Sequence, residues 1–159
     1  MGKFGGLAAA AAMVATLSSG TAGALERAQV GELRCDISGG VGLVLGSQRE
    51  VNCTFMPAAR GRAEHYIGKL TRLGLDVGIS HGAVMVWGVW APTDRPAGAL
   101  TGAYGGATAD ASVGRGVGAN VLVGGNDRTV ELQPVSVEGD TGLNLAAGVA
   151  GLELHWVQR

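Results

Sequence analysis

Large aromatic side chains are scarce: three Trp, two Tyr and two Phe in 159 residues. The core must therefore be mainly aliphatic, and the aromatic girdles of an outer-membrane barrel are hard to supply. Charge is also low. Charged residues make up 16% of the chain and the formal net charge is −1, without the basic stripe that a nucleic-acid-binding protein carries. The three histidines, His65, His81 and His155, lie far apart, with no carboxylate or cysteine at metal-ligand spacing. There is no Gly-x-Ser-x-Gly elbow, no Walker loop and no His-Glu-x-x-His motif. Gly114-Arg115-Gly116-Val117-Gly118 is glycine-rich, but counted from Gly116 the dinucleotide spacing fails at Val121, and no βαβ unit surrounds the run. No catalytic residue, metal site or cofactor is expected from these patterns, and nucleic acid is not an expected partner.

What is present begins at the N-terminus. Met1-Gly2-Lys3 precedes an Ala-rich apolar run from Phe4 to Leu17, then a polar stretch from Ser18 to Thr21, then Ala22-Gly23-Ala24. A short positive region, an apolar region and a small-x-small site form the layout of a secretory signal peptide. Cleavage is expected between Ala24 and Leu25, which makes residues 1–24 a removed signal and 25–159 a single exported domain. The apolar run is too short and too poor in large side chains for a membrane span. The expected destination is the periplasm or the exterior, where cysteines oxidise.

Glycine is abundant, at 29 residues, and is spread among Val, Leu and Ala rather than in a linker or a collagen period. Long helices are hard to place in such a sequence. Gly31 to Ile37 alternates, with Leu33, Cys35 and Ile37 on one face and Glu32, Arg34 and Asp36 on the other. Val51, Cys53 and Phe55 alternate with Asn52 and Thr54 in the same manner. Further strands are expected at 64–73, 75–80, 83–90, 99–103, 108–113, 118–123, 128–137, 142–147 and 152–157. The apolar phase switches at Pro134, which indicates a bulge or an edge, and again across Gly148 and Gly151. The fold class is all-β: a small antiparallel barrel or sandwich of about eight to ten short, glycine-rich strands, stapled by one disulfide.

Cys35 and Cys53 both occupy the apolar phase, and in an exported chain they are expected to bridge. A disulfide holds its Cα atoms within about 7 Å, whereas the first and third strands of a plain meander lie nearly twice about 4.8 Å apart. Either the two cysteine strands pair directly or they face each other across a pinched core. In both cases residues 41–46 must loop out or join another part of the sheet.

Trp87, Trp90, Tyr104 and Asp110 are the candidate ligand-binding residues. Trp87 and Trp90 differ by three and so face opposite sides of a strand, leaving at most one in the core. The other is the place to look for a ligand or partner surface. Asp110 lies between Ala109 and Ala111 in a run of small residues. Arg60, Arg62, Lys69 and Arg72 form a small basic group, expected to be a solvated strand face and loop.

The chain resembles a family of small exported proteins, mostly from alphaproteobacteria, known as domain of unknown function 992. The matching stretches include Gly31-Glu32-Leu33-Arg34-Cys35-Asp36-Ile37-Ser38-Gly39-Gly40, Val51-Asn52-Cys53-Thr54-Phe55 and Val86-Trp87-Gly88-Val89. Later ones include Gly118-Ala119-Asn120-Val121-Leu122-Val123-Gly124-Gly125 and Gly142-Leu143-Asn144-Leu145-Ala146-Ala147-Gly148-Val149. The resemblance implies export, a cysteine pair and a single domain, and it carries no activity. Residues 105–125 alone resemble the glycine-rich core of SYLF-type lipid-binding domains, over a small fraction of the chain. Three function classes follow: a non-enzymatic structural or binding module of the cell envelope, a periplasmic binder of a lipid or other small apolar ligand, and an enzyme of unknown reaction. Thiol titration of the denatured, unreduced protein is expected to find no free thiol; two free thiols would refute the bridge.

Overall fold

The computed structural model describes residues 27–42, 47–72, 78–106, 121–139 and 149–158. Its strands are β1 (Arg27–Ile37), β2 (Gly40–Gly42), β3 (Ser47–Pro57), β4 (Glu64–Arg72), β5 (Gly78–Ser80), β6 (Ala83–Pro92), β7 (Gly102–Gly106), β8 (Leu122–Gly124), β9 (Val130–Gly139) and β10 (Val149–Val157). Eight of them close into an antiparallel barrel in the order β1-β3-β4-β10-β7-β8-β9-β6, and β6 returns to β1. β2 and β5 form a separate two-stranded ribbon. The strands expected at 108–113 and 142–147 lie outside the described residues.

The alternation of the first strands dictates this arrangement. Leu33, Cys35 and Ile37 of β1 point inward, as do Val51, Cys53 and Phe55 of β3, and all are buried. The two strands pair directly, with Cys35 opposite Cys53, and the disulfide joins them across a Cα–Cα distance of 4.0 Å. Its closed loop, with a sequence separation of 18, lowers the entropy of the unfolded chain by an amount worth about 3 kcal/mol in the chain-entropy model. Of the intervening chain, Gly40–Gly42 leaves the barrel to pair with β5. That is how two strands adjacent in the sheet can be separated by a third in sequence.

Both phase switches have structural counterparts. Trp87 pairs with Pro134 while Val86 pairs with Ser136, so Val135 is an extra residue on β9 and its side chain is exposed. This is a β-bulge at the one residue type that cannot donate to the ladder. β10 shifts register between Val149 and Gly151. β4 and β10 approach closely at Gly68. A Cβ on Gly68 would lie 1.7 Å from the carbonyl oxygen of Glu153, so no residue other than glycine allows this approach.

One end of the barrel is stoppered by the connection from β6 to β7. The sequence suggests a strand starting at Ala99, but β7 begins at Gly102. Gly98 takes a positive φ of 77° beneath the Trp156 ring, and successive turns follow, with Ala99 N–H on the Pro96 carbonyl and Thr101 N–H on that of Gly98. The apolar pair Ala99 and Leu100 thereby folds into the barrel mouth, with Leu100 fully buried. Glu64 ties this connection down. Its carboxylate receives both guanidinium nitrogens of Arg95 at 3.1 Å, the Gly98 N–H at 3.1 Å and the Tyr66 hydroxyl. Arg95 also lies over the Phe55 ring, 4.2 Å from its centroid. The pair is largely buried, so Glu64→Gln, which leaves Arg95 uncompensated, should cost about 2–3 kcal/mol. A lower urea midpoint at unchanged slope is the expected result.

Candidate functional site

Among the described residues, apolar side chains pack the barrel interior. Trp87, Tyr66, Phe55, Leu33, Leu70, Met85, Leu122, Leu132 and Leu154 are fully buried and form one continuous core. Trp87 stands in this core with 0% exposure, and its indole N–H meets no acceptor among the described residues. Its role is volume, at the cost of an unsatisfied donor. Tyr104 is buried as well and donates its hydroxyl to the Leu100 carbonyl at 2.7 Å. Trp90 is the outward member of the pair: half-buried on the wall, opposite Gln29 of β1 and Glu131 of β9. The structure therefore does not bring these three aromatic residues together. Asp110, Ala24 and Leu25 lie outside the described residues.

Among the described residues, three groups of charged side chains stand out. At the stoppered end, both oxygens of Glu64 are taken by Arg95, Gly98 and Tyr66, which makes the carboxylate a clamp. At the opposite end, Arg49 and Arg72 point inward, at 5% and 9% exposure. Arg49 shares the phase of Val51 and Cys53, and its head reaches the backbone of Gly40. Arg72 thus departs from the solvated basic face expected of it, since it occupies the inward phase of Tyr66 and Leu70. Arg49 was legible in principle, by extending the alternation of β3 back two residues from Val51. The histidines remain dispersed: His65 contacts the Thr54 hydroxyl at 3.3 Å, His155 pairs with Glu153 at 3.0 Å, and His81 is exposed. No group of three or more His, Cys, Asp or Glu able to hold a metal occurs among the described residues.

The third group lines an open groove of about 600 Å³ on the outer wall of β1, β3, β4 and β10. Register builds it in two rows. Asp36, Asn52, Ile67 and His155 lie side by side across the four strands, and Glu50, Lys69 and Glu153 form the next row. Ile67 is 50% exposed in the middle of these polar groups. Ser38 borders the second row, exchanging hydrogen bonds with the backbone of Glu50. Glu153 pairs with His155, whereas Asp36, Glu50 and Lys69 form no ion pair among the described residues.

These features define a closed antiparallel β-barrel with a packed apolar interior, a clamped end and a charged outer wall. No helix among the described residues is long and apolar enough to cross a membrane. The chain belongs to the family described as protein of unknown function (DUF992), whose model matches residues 12–155. No curated protein and no solved structure matches it.

The two tyrosines of the chain, Tyr66 and Tyr104, are both held above the ordinary tyrosine range. Burial is the main cause in each, and the Glu64 carboxylate adds to it at Tyr66. The unfolded chain therefore releases these protons first. The resulting stability is complete below about pH 10 and falls as the pH rises above it. In an alkaline titration, tyrosinate absorbance should appear only together with loss of the near-ultraviolet circular dichroism. Tyrosinate forming near pH 10 (roughly the free value) in protein that is still folded would contradict this.

Proposed function

We propose that this protein is a non-enzymatic binding module of the cell envelope, exported through residues 1–24, and that it binds through the outer wall of its barrel. The observation that carries the reading is the combination of a filled interior with an open, charged groove on the wall. Trp87 and Tyr104 are spent on the core, so an apolar ligand has no claim on them. Glu64, the most heavily hydrogen-bonded carboxylate among the described residues, is engaged in holding a connection in place. The disulfide supports export, because such bonds persist in oxidising compartments. Charges at mid-strand on the outside, such as Arg34, Asp36 and Lys69, suit a wall that faces water. Each basic side chain would cost about 2–4 kcal/mol at the centre of a bilayer.

Two measurements test this reading. Osmotic-shock fractionation followed by N-terminal sequencing should recover the protein in the shock fluid, starting at Leu25. Protein retained in the cytoplasm with Met1 in place would overturn the export. Native mass spectrometry of protein taken from that fraction should show the bare polypeptide mass; a recurrent lipid adduct would instead favour an apolar-ligand carrier.

A further inference from the structure

We propose that the wall groove is a docking site for an extended basic peptide segment of the pattern basic–x–apolar–x–basic, which rests on the reading of the wall as the binding surface. Three observations lead there. The first is charge. Asp36, Glu50 and Glu153 face the groove against a single permanent cation, Lys69. Asp36 and Glu50 have no ion-pair partner among the described residues, so a guest cation does not have to displace one there.

The second is the floor. Ile67 presents half of its surface to solvent amid these charges, an apolar contact that a simple polyamine leaves uncovered.

The third is length. Crossing from β1 to β10 spans three inter-strand steps, or about 14 Å. Residues i and i+4 of an extended peptide are also about 14 Å apart, at roughly 3.4 Å per residue, with i, i+2 and i+4 on one face. A basic residue at i meets Asp36 and Glu50, an apolar residue at i+2 lies against Asn52 and Ile67, and a basic residue at i+4 meets Glu153. Lys69, in register between Glu50 and Glu153, opposes such a guest, as does His155, paired with Glu153, when it is protonated.

The test is fluorescence anisotropy of a fluorescein-labelled Ser-Lys-Ser-Leu-Ser-Lys-Ser peptide with the mature, oxidised protein. Saturable binding that weakens with added salt is expected. The double variant Glu50→Gln/Glu153→Gln should weaken it about tenfold, and Ile67→Ser should also weaken it, whereas Lys69→Ala should tighten it. All four positions are on the wall, and circular dichroism should report unchanged folding. The proposal is overturned by an absence of binding at about 1 mM protein, by equal binding of a peptide with adjacent lysines or of spermine, or by variants that leave affinity unchanged. None of these outcomes alters the fractionation result, so the peptide assignment and the export reading fail separately.

Discussion

The double pairing of β1 is the constraint on which the rest of the barrel depends. One edge of β1 carries β3 and the other carries β6, so the ring cannot close without this strand. A slip of one residue would turn Leu33, Cys35 and Ile37 outward and bring Glu32, Arg34 and Asp36 into the core. The Cys35–Cys53 bridge forbids that slip on the β3 side, because it fixes which residues are opposite each other. With that register set, Cys35 also faces Met85, and β6 is aligned to place Trp87 at the centre of the barrel. A bond formed between two neighbouring strands thus constrains pairing on both sides of the strand that closes the ring.

Closure then divides the molecule into a solid interior and a wall. Small barrels are filled by side chains unless one face supplies small residues to leave room. Here Trp87, Tyr66 and Phe55 supply the bulk that a generally aliphatic sequence otherwise lacks. The scarcity of aromatics is consistent with this economy: both tyrosines and two of the bulkiest remaining rings are committed to the core and its stopper. The ends differ in chemistry. One is sealed by Leu100 and the Glu64–Arg95 clamp, and the other admits the buried guanidinium groups of Arg49 and Arg72 beside the ribbon of β2 and β5.

Much of the local structure could be read from the residues. Period-two alternation identified β1 and β3, the phase switch at Pro134 located the bulge that expels Val135, and the two cysteines required direct pairing or a pinched core. What was not legible is long-range. Nothing in the residues of β10 announces that it inserts between β4 and β7, because antiparallel partners are chosen by the closure of the whole ring. Ala99-Leu100 has the composition of a strand start, yet a positive φ at Gly98 turns it into a stopper. Trp87 and Trp90 were separable by phase, but each is flanked by valine or alanine, so composition could not say which was inside. The groove was the least visible feature. Asp36, Asn52, Ile67 and His155 are unremarkable where they stand in sequence and become neighbours only through three registers.

That origin bears on why the groove residues are there. An open sheet uses charges on its outer strands to discourage pairing with other chains, but a closed barrel has no free edge to protect. Solubility needs charge of mixed sign, which Glu32 and Arg34 already place on the wall of β1. Gathering Asp36, Glu50 and Glu153 on one side runs against the interest of the fold, since carboxylates at neighbouring sheet positions repel. Lys69 offsets part of that repulsion from between two of them, while Ile67 beside it exposes apolar surface to water. The groove keeps both features, and a guest carrying cations on either side of an apolar residue satisfies both at once.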